Sequence, residues 1–305
     1  WPTTMQGCQP ISTTAIFNYS IRFTQGVNLV HPRLAELIDI LDIEQVEANL
    51  FRGHHPKGRS GRLYGGQIMA QALMAAGRTV DSDRPPHSLH GYFMRPGDAR
   101  VPVVFSVDRI RDGRSFTTRR IAVIQHGKAI FSMDASFQLE EEGLSHQSEM
   151  PNLVPPTDEM ITDAMREDRF ITHLAEYKAV MENKPLSPYQ HSWFRANGTI
   201  PSEDRLLHAA LLTYQSDDAL LSTSRLPHRG NFERKDMQSA SLDHAMWFHG
   251  PVRVDQWLLY ALDAPQSSAA RGYNRGMMFT ADGVLVASTM QESLMRWHNP
   301  NRAVS

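Results

Sequence analysis

The chain has 305 residues, 41% of them hydrophobic and 21% charged, with 31 Lys and Arg against 33 Asp and Glu for a net charge of −2. That is enough for a sizeable core in one large or two modest domains, and the scattered basic residues leave no electrostatic footprint for nucleic acid or an anionic membrane. One cysteine, Cys8, excludes an intrachain disulfide framework, and no apolar run reaches the roughly 18–20 residues of a membrane span.

Residues 1–33 contain no Asp or Glu, are rich in Thr, Ser and Gln, and read as an N-terminal arm outside the folded unit. An acid-poor leader also fits an organelle transit segment, although two arginines are few for one. The first strong element lies in RLYGGQIMAQALMAAG (62–77), where Met69, Ala72, Leu73 and Ala76 recur at i, i+3, i+4 and i+7 and Gly77 closes a helix. Its many alanines predict a helix tightly enclosed by something else. After the break at 81–86 come period-2 segments, clearest in AIFSMDASFQ (129–138), with turn dipeptides at Asp112-Gly113 and His126-Gly127. Residues 139–190, with EEE at 140–142, Pro155-Pro156 and a polar, helix-like run from Thr157 to Asn183, read as a linker. WFRANG (193–198) opens a second unit. It continues with a helix from about Asp204, striped by Leu207, Ala210, Leu211 and Tyr214, and strands from Leu242 to Met295 with a turn at Asp282-Gly283.

The two units are copies. VVFSVD (103–108) lies over LLYALD (258–263), Pro96 over Pro251 and Arg120 over Arg275 at a shift of 155 residues, and HGKAIF (126–131) lies over DGVLVA (282–287) one insertion later. HGYF (90–93) resembles HAMWF (244–248). Each copy is a helix followed by antiparallel strands, an α+β duplicated hotdog. The expected boundaries are 34–138 for the first hotdog, 139–190 for the linker, 191–298 for the second hotdog and 299–305 for a tail.

The chain has no G-x-S-x-G elbow, P-loop, G-x-G-x-x-G, H-E-x-x-H or C-x-x-C motif. His244 and His249, five apart, point to opposite faces of a strand, as do His87 and His90, three apart, so no metal site is expected. A sparse polar set remains. Asp217 and Asp218 continue the stripe of the second helix. Ser241 and Asp243 share one strand face with His244 on the other, and Gln291 shares its face with Leu285, Ala287 and Thr289. Each taken alone reads equally well as a satisfied polar group in a core.

GGQIMAQAL (65–73), HGYFMRPGD (90–98), WFRANG (193–198), LDHAMWFH (242–249) and DGVLVASTMQE (282–292) closely resemble the type II, TesB-like acyl-CoA thioesterases, a double-hotdog family with bacterial and peroxisomal members. The likeness covers residues 34–298 and weakens at 150–188, where a strand leading the second hotdog looks shortened or missing. The resemblance implies an acyl-CoA substrate, no metal or other cofactor, and hydrolysis by a water held by an Asp, a hydroxyl and a Gln. By motif these are Asp217, Ser241, where some relatives have Thr, and Gln291. Gly65 and Gly66, at the entrance of the first helix, are candidates to present N–H groups to the substrate, with Gln67 and His244 as further substrate-binding candidates. The resemblance also implies a homodimer or homotetramer, and a cytoplasmic setting is expected, since the C-terminus is not a peroxisomal Ser-Lys-Leu tripeptide. Two rivals stay open: a hotdog enoyl-CoA hydratase or dehydratase working through His244 and Asp243, and a non-catalytic acyl-CoA binder.

Overall fold

The structure is a computed structural model that describes residues 30–56, 61–201 and 203–298. All but residues 30–33 of the expected arm, and the whole of the expected tail, lie outside the described residues. The first unit runs α1 (Pro32–Leu41), β1 (Glu44–Glu47), β2 (Leu50–Gly53), α2 (Gly65–Gly77), β3 (Pro86–Phe93), β4 (Val103–Asp112), β5 (Phe116–Gln125) and β6 (Lys128–Gln138). Every residue of α2 from Gly66 to Ala76 is buried. A helix buried on every side belongs in a core, and its alanines let the strands close on it.

The second unit comprises α3 (Asp163–Arg166), β7 (Phe170–Leu174), α4 (Tyr177–Met181), β8 (Tyr189–Ala196), α5 (Arg205–Ser216), α6 (Leu220–Thr223), β9 (Met237–Ser241), β10 (Asp243–Phe248), β11 (Leu258–Ser268), β12 (Arg271–Thr280) and β13 (Leu285–Trp297). One antiparallel sheet joins both units in the order β1-β2-β4-β5-β6-β3-β10-β13-β12-β11-β8-β7, with β9 paired to β13 alongside β10. The second half of that order is the first half reversed, strand for strand, so a pseudo-two-fold axis passes between β3 and β10, where Ala245 faces His90. The repeat holds at the level of register. Asp108 pairs with Arg120 in the first unit and Asp263 with Arg275 in the second.

The linker differs from its expected form. The run Thr157–Asn183 is not one helix, because Phe170 and Ile171 are buried in an edge strand, β7, that pairs with β8 from Phe170↔Ala196 to Leu174↔Ser192. The leading strand of the second unit is therefore present, displaced from β8 in sequence by α4. Upstream, the linker lies over the outer face of the second unit's strands. Met150 and Leu153 pack on Trp193, Leu259 and Phe279, and the Gln147 amide donates to Gly283 O at 2.7 Å and accepts from Leu285 N at 3.1 Å. The main core lies inside the curled sheet, where α2 and α5 pack against each other and against Phe105, Phe131 and Met246. Among the described residues no helix is long and apolar enough to cross a membrane.

Candidate active site

Helix α5 ends at Ser216, and the next residue, Asp217, caps it with φ −79° and ψ −11°. A helix end leaves carbonyls without intrahelical partners, and here tyrosines from other elements take them. Tyr64 Oη, just before α2, donates to Tyr214 O at 3.0 Å, and Tyr260 Oη of β11 donates to Ser216 O at 2.9 Å. Burial, with Asp217 and Asp218 adding to it, holds both phenols well above their usual pKa, so they remain donors. These bonds fix the point at which Asp217 leaves the helix.

The N-terminus of α2 meets that point. Gly66 N donates to Asp217 Oδ2 at 3.0 Å across 151 residues of sequence. A Cβ on Gly66 would sit 2.2 Å from Tyr214 O, and one on Gly65 would sit 2.8 Å from Asp217 Oδ2. The glycine pair thus serves the close approach of α2 to α5. The N–H of Gly66, a candidate donor to substrate, here goes to the carboxylate of Asp217. The neighbouring amides of Gly65 and Gln67 belong to the same first turn, whose N–H groups have no intrahelical acceptor.

Ser241 reaches Asp217 through an irregularity that period-2 reading does not show. Ser241 pairs with Ser293, and Ala245 pairs with Met290, so four steps along β9–β10 match three along β13. One extra residue between Ser241 and Ala245 makes a β-bulge, which turns the strand locally. Ser241 and His244, expected on opposite faces, consequently both meet the same side chain. Gln291 Nε2 donates to Ser241 Oγ at 3.1 Å and to Ser293 Oγ at 3.0 Å, while Gln291 Oε1 lies 2.9 Å from His244 Nδ1. Ser241 Oγ donates to Asp217 Oδ1 at 3.4 Å, and His244 Nε2 lies 3.0 Å from Ser216 Oγ.

Burial pushes the Asp217 carboxyl up to about 7. The Gly66 N–H opposes this, the neighbouring Asp218 adds to it, and the Ser241 hydroxyl opposes it. Burial pushes His244 the other way, down to about 4, with Gln291 pulling it upward, so at neutral pH the imidazole is uncharged. Asp218 is exposed and accepts from Gln215 Nε2 at 3.2 Å, which leaves Asp217 as the carboxylate that touches Ser241.

Three further candidates have protein groups as partners. Gln67 sends its amide to His55 Nδ1 at 2.8 Å and His54 O at 3.4 Å, toward the segment after β2. His244 is 1% exposed, with both ring nitrogens engaged by protein groups. Asp243 accepts from Glu292 N at 2.6 Å, while the ring of His244 is held by Ser216 and Gln291. Ser216 and Ser293 went unnoticed in the sequence. The only signal for Ser216 was its place directly before Asp217. Among the described residues no group of three or more His, Cys, Asp or Glu could hold a metal ion.

The pseudo-two-fold axis gives each site residue a counterpart in the first unit. Pro86 pairs with Phe137, and His90 with Asp134, across a register shift like that at Ser241. The counterparts of Ser241, His244, Gln291 and Ser293 are therefore Pro86, Leu89, Ala135 and Phe137. A cleft of about 330 Å³ does open at that end of the helix pair, lined by Pro86, His87, Arg205 and Phe248 among others. The hydroxyl, imidazole and amide of the Asp217 site have no equivalents there.

Fold and site together define a double-hotdog protein with a carboxylate of near-neutral pKa at the junction of its two units. Residues 163–294 match the acyl-CoA thioesterase family profile, and residues 54–138 match the profile of the acyl-CoA thioesterase N-terminal domain. The chain is 40% identical over 282 residues to mouse (Mus musculus) acyl-coenzyme A thioesterase 8, covering 84% of this chain and 88% of the mouse protein. It is 34% identical to acyl-CoA thioesterase 2 of Haemophilus influenzae, covering 87% and 98%. The crystal structure of acyl-CoA thioesterase II TesB2 from Mycobacterium marinum is 40% identical and superposes with a TM-score of 0.74 over 88% of this chain and 99% of that one. The chain belongs to the acyl-CoA thioesterase family and is an acyl-CoA thioester hydrolase.

Proposed function

We propose that the chain hydrolyses fatty acyl-CoA by direct attack of water, with Asp217 as general base and Ser241 and Gln291 holding the water. The observation that supports this most is the carboxylate itself, with its pKa near 7 and a hydroxyl and a helix-terminal N–H as its partners. A base serves best when its pKa lies near the working pH, and such a base contributes about 10²–10⁴-fold. In this reading Asp217 takes a proton as the water oxygen bonds to the thioester carbon. The tetrahedral intermediate then expels CoA thiolate, and the proton on Asp217 leaves to the thiolate or to solvent. A thiol with a pKa of about 8.5, by analogy with cysteine, departs without a strong general acid. The burial of His244, with both ring nitrogens engaged by Ser216 and Gln291, supports thiol release in place of hydration. The replacement of site residues at the pseudo-symmetric position agrees with one centre per chain.

The test is thiol release, read with a thiol-reactive dye, from short-, medium- and long-chain acyl-CoA by wild type, Asp217→Asn and Gln291→Ala. Loss of about 10²-fold or more in kcat for folded Asp217→Asn is expected. Unchanged turnover would remove Asp217 from the role, and acyl-CoA binding without thiol release would return the chain to a binder. We further take the enzyme to work in the cytoplasm as a homodimer or homotetramer. Light scattering of the purified chain that returned a monomer would remove the second part.

A further inference from the structure

The atoms around Gln291 form an unbroken line of hydrogen-bonding groups from Ser216 through His244, Gln291 and Ser241 to Asp217, with successive separations of 3.0, 2.9, 3.1 and 3.4 Å. Such a line has a direction, because each hydroxyl has one proton and a neutral imidazole one N–H. At its end lies Asp217, an acceptor only when ionised, so the Ser241 hydroxyl must point its proton there and take one from Gln291. The amide nitrogen has two protons, which go to Ser241 and Ser293. Its oxygen is then left facing His244 and needs a donor. Only the Nδ1–H tautomer supplies it, and Nε2 then accepts from Ser216 Oγ.

The reverse direction is also self-consistent, and it fails at the site. With a proton on Nε2, His244 donates to Ser216, whose hydroxyl turns to Thr213 O at 2.9 Å. The Gln291 amide would then flip to donate to Nδ1, presenting its oxygen to Ser241. That oxygen would compete with Asp217 for the Ser241 proton and leave no amide N–H at the reaction site.

We propose that His244 is a positioning residue: as the neutral Nδ1–H tautomer, with Nε2 accepting from Ser216 Oγ, it donates to Gln291 Oε1 and locks that amide so that every donor in the line points toward Asp217. The inference rests on the Asp217 base reading and adds a residue that touches neither substrate nor water. His244 is deeply enough buried to stay uncharged near neutral pH, so its contribution is direction and not charge. The same bond pins Ser216, the last helical residue of α5, and with it the start of the Asp217 cap.

Two measurements on the full chain test it. Long-range ¹H–¹⁵N correlation on histidine-labelled protein at pH 8.5, where Asp217 is ionised, with the His244 signals assigned by their loss in His244→Asn, is expected to show a protonated Nδ1 and a bare Nε2. A protonated Nε2 with a bare Nδ1, or a doubly protonated ring, overturns the proposal. In parallel, His244→Leu, which removes the donor, is expected to lower kcat about tenfold or more with KM changed by less than about threefold. His244→Asn, whose amide nitrogen falls near the position of Nδ1, is expected to recover most of the loss. A folded His244→Leu with unchanged kcat, or a His244→Asn no better than His244→Leu, also overturns it. If Asp217→Asn retains activity, the base reading has failed by itself, and the tautomer still decides the direction of the line. If His244→Leu does not fold, the wild-type spectrum carries the test alone.

Discussion

Asp217→Asn should gain stability where it loses activity. Burial raises this carboxyl from the usual 3.8 to about 7. A raised carboxyl pKa means that the folded state holds the proton more tightly than the unfolded chain does, so ionisation destabilises the fold. Below pH 3.8 both states are protonated and there is no cost. The cost grows between pH 3.8 and 7 and is constant above. About three pKa units at 1.36 kcal/mol each set an upper bound of about 4 kcal/mol. The helpful bonds from Gly66 N and Ser241 Oγ are already contained in that net value. An uncharged Asn can accept from Gly66 N and donate to Ser241 while avoiding the cost. Urea denaturation at pH 8 is therefore expected to show the variant more stable than wild type by about 1–4 kcal/mol, with the gap shrinking steadily toward pH 5. Thiol-release kcat is expected to fall by about 10²–10⁴. Wild-type kcat should rise through an ionisation near pH 7, as the base form of Asp217 appears, and the residual rate of the variant should lack that limb. A variant less stable than wild type at pH 8, or a stability gap independent of pH, would refute the claim that the site holds a costly buried carboxylate.

Gly66→Ala places a Cβ 2.2 Å from Tyr214 O and 2.6 Å from a Tyr64 ring carbon. Forcing α2 and α5 apart should cost about 2 kcal/mol or more in chemical denaturation; an alanine tolerated without loss would show that the helices can separate freely. Gln291→Ala deletes the donor to Ser241 and should lower kcat by about 10²-fold with KM little changed, whereas an equal rise in KM would indicate a binding role. The β11–β12 hairpin turns on Ala269 and Ala270, with φ of +48° and +59°, in the left-handed region that alanine resists. Ala269→Asn with Ala270→Gly, the residues this two-residue turn favours, should stabilise the chain by about 1–2 kcal/mol with unaltered activity. No gain in the denaturation midpoint would argue against strain at that turn.

Periodicity and repetition determined the larger part of this protein from sequence. The alanine-rich stripe of α2, the alternation in β6 and the 155-residue shift follow from local rules, 3.6 and 2 residues per repeat, that hold wherever a helix or strand is half or wholly buried. They made two hotdogs legible without any knowledge of what touches what. The residues of the site were legible as a sparse polar set, and the family motifs singled out three of them. Their assembly was not legible. Strict alternation put Ser241 and His244 on opposite faces, and only the inserted residue, a property of how β9 and β10 pair with β13, brings both to Gln291. β7 was taken for part of a helix because an edge strand five residues long has too little pattern to outweigh its polar surroundings. Gly66 and Asp217 meet across 151 residues because α2 and α5 pack against each other. That contact creates the buried setting which raises the Asp217 pKa, and no local feature of either segment carries it.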